Sequence, residues 1–436
     1  MSSQHQSPAD SELPQVDIKP LLGRLWPVGH PDPVSPAEIA EAISYFFTNQ
    51  VSDVQAGSLL MCLHFTGLDR QAEVLANTAS RMLKAAAKID QEALRAVVER
   101  SGRREGGYNG GLVDIVGTGG DSHNTFNIST TASILASSLL LIAKHGNRAS
   151  TSKSGSADLL NSMQPRAPQI SRIRPDTIAE LYSNTNYGFL FAPVFHPGMR
   201  FVAPIRKQLP WRTIFNLVGP LANPVDLRDP SGSSSPYPYS SSSSSSSSLL
   251  EARMIGVARK DIGPVFATAL ELAGARKAMV VCGDEELDEI SCAGDTLCWR
   301  LRPDPSDPAR TLAEHFRLHP RDFGLPPHPL SAVSPGKEPA ENAAILARIL
   351  NGEVPDDDPI LHFVLINAAA LFVVSGICDA DTSDMGHGDD GKVIKEVGPG
   401  GGRWKEGVRR ARWAIKSGEA ARQWAKFVEV TNSFSE

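Results

Sequence analysis

One stretch limits the possible folds more than any other. It runs Leu112-Val113-Asp114-Ile115-Val116, then Gly117-Thr118-Gly119-Gly120-Asp121, then an apolar segment opened by Asn127-Ile128-Ser129-Thr130. The first five residues read as a short strand, and 126–141 reads as a helix. Strand, glycine loop and helix in that order are the sequence form of an α/β phosphate site. Glycines let the backbone approach an anion closely, and the N–H groups of a helix N-terminus point at it. The loop is neither a P-loop nor the dinucleotide fingerprint, because no lysine-serine pair closes it and the glycine spacing differs. Taken alone it is also compatible with a simple tight turn from strand to helix.

Two further stretches carry chemistry. Residues 144–158, Lys-His-Gly-Asn-Arg-Ala-Ser-Thr-Ser-Lys-Ser-Gly-Ser-Ala-Asp, have only alanines as aliphatic side chains. The run is therefore expected to be neither a core strand nor an amphipathic helix. Its fixed cations and short donors suit a multiply charged, oxygen-rich anion, the bland alternative being a solvated polar loop. Farther on, Gly283-Asp284-Glu285-Glu286-Leu287-Asp288-Glu289 follows an apolar strand. Clustered carboxylates repel unless they are exposed or matched by cations. At a strand's carboxyl end they are hard oxygen ligands suited to Mg²⁺, which takes one or two carboxylates plus substrate phosphates. A solvated acidic loop is again the alternative.

The rest of the chain frames these loops. With 436 residues it can bury a large core in one large or two ordinary domains. Residues 1–20 are polar and expected to be disordered, without the basic start and apolar segment of a secretory signal. Ser35-Pro36-Ala37-Glu38 marks a helix start, and short helices to about residue 88 imply a small bundle. Strands at 254–257 and 278–281 with a helix between them form a βαβ unit and imply a parallel sheet. Residues 227–248, rich in serine, and 379–402, rich in glycine and aspartate, read as disordered insertions. The expected organisation is a helical domain over 21–106 and an α/β domain over 107–436 with a mostly parallel central sheet flanked by helices. A segment near 195–222 is expected to pack on the helical domain. A net charge of −6 gives no electrostatic case for nucleic acid. No apolar run is long enough to span a bilayer. Five cysteines without CxxC spacing favour reduced thiols and a cytoplasmic protein.

Several motifs in order now match a known family. GTGGD, TFNIST, KHGNRA, SKSGSAD, HPGMR, VAPIR, RTIFNLVGPLANP and LDEIS together resemble anthranilate phosphoribosyltransferase, over roughly 35–430 apart from the two insertions. The resemblance implies transfer of the phosphoribosyl group of phosphoribosyl pyrophosphate (PRPP) to the amine of anthranilate, in tryptophan synthesis. It implies Mg²⁺ and a homodimer contacting through the helical domain. It assigns Gly117, Gly120, Asp121, Thr125, Asn127, Ser129, Thr130, Lys144, Asn147, Arg148, Ser150, Thr151, Ser152 and Ser156 to PRPP. It assigns Gly117, Asn147, His196, Arg206 and Pro220 to anthranilate, with Lys144, His145 and Arg206 taking part in catalysis. Ser129, Asp288 and Glu289 are the metal ligands it implies. The chain departs from the pattern at Glu286, where glycine is usual, and at Ser150-Thr151, where Val-Ser is common. The rivals are a pyrimidine nucleoside phosphorylase of the same fold and a non-catalytic homologue that binds nucleic acid. The retained Asp288, Glu289 and Arg206 and the negative charge argue against both.

Overall fold

A computed structural model describes residues 13–149, 153–226, 248–307, 310–334 and 338–435. Ser150, Thr151 and Ser152 lie outside the described residues, as does almost all of the 227–248 stretch.

Seven strands form one sheet: β1 (Leu112–Gly117), β2 (Leu141–Gly146), β3 (Tyr187–Phe191), β4 (Leu250–Gly256), β5 (Ala278–Gly283), β6 (Thr296–Pro303) and β7 (Thr311–Leu318). Their spatial order is β3-β2-β1-β4-β5-β6-β7. The first five pair in parallel, while β6 and β7 add an antiparallel edge. From β1 the chain steps outward to β2 and β3, and from β4 it steps the other way to β5. The order therefore reverses between β1 and β4, and open α/β sheets bind ligands outside the carboxyl ends of the strands at such a switch point.

Alternation along the strands divides the apolar side chains between two cores. Met279 and Val281 face one core, and Val280 and Cys282 face the other. The first core is built on helix Pro359–Ser375, buried at every position from Leu361 to Ser375, as a helix apolar all round must be. The second core joins the sheet to the small helical bundle of Pro36–Ser44, Asp53–Thr66 and Ala72–Lys84. Ser35 caps the first of these helices with a reciprocal pair: its Oγ accepts from the Glu38 N–H (3.3 Å), and Glu38 Oε2 accepts from the Ser35 N–H (2.9 Å). Such a cap stabilises by about 1 kcal/mol. Val202, Ile205, Ile214, Phe215 and Val218 join the bundle's apolar residues in the second core, with the Phe47 and Phe215 rings 6.1 Å apart.

Several expectations need correction. The stretch 144–158 does begin in a core strand: Lys144, His145 and Gly146 end β2, and the helix expected over 126–141 stops at Ala136. Burial supplied by β1 and β3 on either side overrides the polar composition. Helix Gln91–Ser101, assigned to the helical domain by the boundary at 106, places Leu94, Val97 and Val98 in the core beneath the sheet. Residues 13–20 are tied down rather than disordered: the Val16 N–H donates to Gln50 O (2.6 Å), and a helix starts at Lys19. Residues 379–402 are ordered as well. Asp389 accepts from Ser383 Oγ (2.7 Å) and the Met385 N–H (2.8 Å) and pairs with Arg409 (2.9 Å), while Trp413 Nε1 donates to His387 O (3.0 Å). Glycine and aspartate there serve turn chemistry anchored on a helix rather than an unstructured tract.

Candidate active site

Gly117 and Gly256 end β1 and β4 as register partners. A Cβ on Gly117 would collide with the Asp288 carboxylate, and one on Gly256 with the Asp288 main-chain carbonyl. The two glycines thus open a slot at the switch point that admits the acidic loop. The Gly119 N–H donates to Asp288 Oδ2 (2.6 Å). Glu289 Oε1 accepts from the Ser129 N–H (3.1 Å), so a carboxylate occupies the positive end of helix Ile128–Ala136. Asn367, fully buried in the central helix, fixes the next residue from below. It accepts from the Ile290 N–H and donates to the Ile290 carbonyl, both at 3.1 Å.

The charges at this point are crowded and dry. Burial, and then the neighbouring Asp121 carboxylate, push Asp288 up to about 7. Burial, and then the Asp288 charge, hold Glu289 well above the ordinary carboxylate range. Lys144 lies beneath them, its Nζ donating to Ile115 O (2.7 Å) and Ser129 Oγ (3.3 Å). Burial pulls its pKa down, and Asp114, Glu289 and Asp288 oppose that pull. Two buried carboxylates that resist ionising together are hard donors suited to a divalent cation, whose charge would favour their ionised forms.

The polar loop after β2 is cinched at its stem. Asp158 Oδ2 accepts from the Ala149 N–H (2.8 Å) and the Gly155 N–H (3.1 Å), and a Cβ on Gly155 would strike Ala149. The stem is tied to the glycine-loop side as well. Asn127 Nδ2 donates to Ser154 O (2.9 Å), Ser154 Oγ donates to Asn127 Oδ1 (3.0 Å), and Thr130 Oγ1 donates to Ser156 Oγ (2.8 Å). Asn147 and Arg148 are exposed, with the Arg148 guanidinium 5.9 Å from the Phe191 ring centroid.

A second group lies toward the helical bundle. The His145 and His196 rings are buried 5.1 Å apart. His196 Nε2 pairs with Ala222 O (3.0 Å), beside Pro220 in the turn Gly219–Leu221. Burial, with His196 adding to it, holds His145 down to about 3, and burial holds His196 down to about 4. Both are therefore neutral at pH 7. The Gly219 and Met82 main chain oppose these shifts only in part, and neither His145 Nε2 nor His196 Nδ1 makes a close hydrogen bond among the described residues. Arg206, in helix Met199–Gln208, lies 5.8 Å from the Phe215 ring centroid. Among the described residues no ion pair to Arg206 is present.

Two family models match this architecture. The helical bundle domain of a glycosyl transferase family matches 19–86, and the a/b domain of that family matches 109–230 and 245–421. Anthranilate phosphoribosyltransferase of Schizosaccharomyces pombe is 36% identical, over 92% of this chain and 94% of its own. That of Saccharomyces cerevisiae is 33% identical, over 87% and 86%. The chain belongs to the anthranilate phosphoribosyltransferase family. Among solved structures, the Saccharomyces cerevisiae enzyme in complex with PRPP and Mg superposes with a TM-score of 0.72 at 30% identity, covering 94% of this chain and 97% of that one. The same enzyme in complex with 4-fluoroanthranilate gives 0.71 at 28%, covering 94% and 96%.

The structure brings Gly117, Asp121, Asn127, Ser129, Thr130, Lys144, Ser156, Asp288 and Glu289 to one side of the switch point. Gly120 and Thr125 lie on the connecting loop, where Ser122 and Asn124 adopt positive φ. His145, His196, Arg206 and Pro220 make up the bundle side. Three residues with structural work here had no assigned role in the sequence reading: Asp158, Asn367 and Arg212. Asn367 was visible as the lone amide in an apolar run, and Asp158 as the acid that ends the polar stretch. Arg212 opens the RTIFNLVGPLANP motif, but nothing in the motif points to the glycine loop as its partner.

Proposed function

We propose that this chain transfers the phosphoribosyl group of PRPP to the amine of anthranilate, giving N-(5′-phosphoribosyl)anthranilate and pyrophosphate in tryptophan biosynthesis. The observation that carries the reading is the meeting of the glycine loop, Lys144 and the buried Asp288–Glu289 pair at the switch point, with the Arg206 guanidinium on the neighbouring segment. Asp288 and Glu289, with Ser129, would hold Mg²⁺, which supplies charge neutralisation for the departing pyrophosphate. The Gly120 amide and the residues at the helix N-terminus, 127–130, hold phosphate oxygens, and Lys144, Asn147, Arg148 and Ser156 hold others of the same substrate. Arg206 takes the anthranilate carboxylate, preferably as a bidentate pair. Asn147, His196 and Pro220 flank the acceptor; neutral His196, whose Nε2–H goes to the Ala222 carbonyl, can accept a hydrogen bond at Nδ1, and neutral His145 can accept or donate one, without adding charge beside it.

Displacement at the anomeric carbon develops positive charge on the sugar and negative charge on the leaving group. Positioning and leaving-group stabilisation then account for catalysis. The aromatic amine attacks already neutral, so no strong general base is required. The test is a fluorescence assay with PRPP, Mg²⁺ and anthranilate. Loss of anthranilate fluorescence with equimolar pyrophosphate release is expected. Phosphorolysis of thymidine in its place would overturn the reading.

The exposed apolar residues suit a second copy of this chain. Val54, Met61 and Phe65 line one face of helix Asp53–Thr66, with Trp26 and Val28 also exposed in the same domain. A homodimer through the helical domain covers them. Phe65→Glu should halve the sedimenting mass. No described helix is long and apolar enough to cross a membrane. The five cysteines are free, which agrees with a reducing cytoplasm. The negative net charge favours no nucleic-acid partner.

A further inference from the structure

Arg212 stands on the short connection between helix Met199–Gln208 and helix Ile214–Val218. Its neighbour Trp211 anchors that connection to the bundle. The Trp211 ring stacks on His64 (5.8 Å between centroids, 18°) and meets Phe65 edge-on (5.1 Å, 66°). The guanidinium reaches the other way, into the glycine loop. Nη2 donates to Thr118 O (2.6 Å) and Nη1 to Gly119 O (2.5 Å). The Asp288 and Asp121 carboxylates both attract it.

This arrangement fixes which way two peptide planes face. In a trans peptide the carbonyl and the following N–H point in opposite directions. Holding the Thr118 carbonyl toward Arg212 therefore turns the Gly119 N–H away, and that N–H donates to Asp288 (2.6 Å). One peptide unit is gripped between a cation and a carboxylate, and such chains of hydrogen bonds polarise one another. Holding the Gly119 carbonyl turns the Gly120 N–H away from Arg212 in the same manner. Gly120 must be glycine for this grip. Its φ is +81°, and a Cβ there would overlap the guanidinium.

We infer that Arg212 is the positioning residue of the glycine loop, orienting the Gly120 amide for the phosphate groups of PRPP and locking the Gly119 amide to Asp288. The inference rests on the proposed transferase reading for its substrate, and on the loop geometry alone for its structural part. A planar fork suits two consecutive carbonyls, and a lysine ammonium cannot reproduce it.

The test uses the full chain with Arg212→Ala and Arg212→Lys. Hydrogen exchange of the metal-free proteins reads the loop without any activity. In Arg212→Ala the peptides covering 117–121 should exchange at least tenfold faster, while those covering β4 and β5 keep the parent rate. Steady-state kinetics should show the PRPP KM raised about tenfold or more and the anthranilate KM within about twofold of the parent. Arg212→Lys should recover only part of either loss. Parent-like exchange at 117–121 in Arg212→Ala, or equal rises in both KM values, would overturn the assignment. So would faster exchange spread evenly over the sheet, because it marks a general packing role. A parent inactive on PRPP would refute the transferase reading and leave the exchange result to decide on Arg212.

Discussion

The two sides of the candidate site are built in opposite ways. On the donor side nearly every polar group is held by another: Asp288 by Gly119, Glu289 by Ser129, Lys144 by Ile115, Ser154 by Asn127. On the proposed acceptor side His145 Nε2 and His196 Nδ1 are buried without a close hydrogen bond among the described residues, and Arg206 has an aromatic ring rather than a carboxylate beside it. A buried polar atom left without a partner costs about 1–3 kcal/mol. A flexible, highly charged substrate calls for amides already aimed at it. A small, rigid aromatic acid bearing an amine can instead complete hydrogen-bonding groups that the protein leaves open. On the proposed assignment, pre-organisation on one side and unspent hydrogen bonding on the other divide the work of binding.

The contrast breaks most readily at Asp288. Asp288→Asn should lower kcat by about 100-fold or more, the scale of losing one pre-organised electrostatic group. Its stability effect has the opposite sign. With a folded pKa near 7 against an ordinary 3.8, the unfolded chain gives up this proton first. Stability of the metal-free protein therefore falls as pH rises from about 4 through 7. Thermal melts without metal should show Asp288→Asn gaining over the parent at pH 8, with the gain fading toward pH 4. An unchanged kcat would remove Asp288 from the metal site.

Arg206→Ala examines the acceptor side. The anthranilate KM should rise roughly 10–100-fold, in keeping with a hydrogen bond to a charged group, while the PRPP KM stays within about twofold. Equal effects on both would erase the distinction between the sides. Asp158→Ala should loosen the stem of the polar loop and raise the PRPP KM about tenfold, with melting little changed. The smallest effect belongs to Glu286. It holds φ at +62°, a backbone region that glycine enters freely and other residues at a cost. Glu286→Gly should stabilise the chain by about 0.5–1 kcal/mol in denaturant titrations and leave kcat unaltered.

The sequence was informative where local chemistry repeats local structure. Glycines before a helix, paired acids after an apolar run and a capping serine before proline all keep their meaning in the fold. It misled where long-range packing decides. Lys144 and His145 look like loop residues, yet strands on both sides draw them into the sheet. Asp389 looks like part of a flexible tract until Arg409, distant in sequence, is seen to pair with it. Helix Gln91–Ser101 continues the helical texture of the bundle, and only the sheet's core shows which domain it stabilises. Arg212 is the extreme case, because its partners are main-chain carbonyls some ninety positions away, and no side-chain pattern records them.

Calorimetric titration of PRPP into the full chain, with and without Mg²⁺, tests the central claim that three loops form one metal-assisted donor site. The parent should bind PRPP far more tightly with Mg²⁺ than without it, and the Asp288→Asn, Glu289→Gln double variant should lose that gain while remaining folded. The same affinity with and without Mg²⁺ in the parent, or a gain that survives in the double variant, would contradict it.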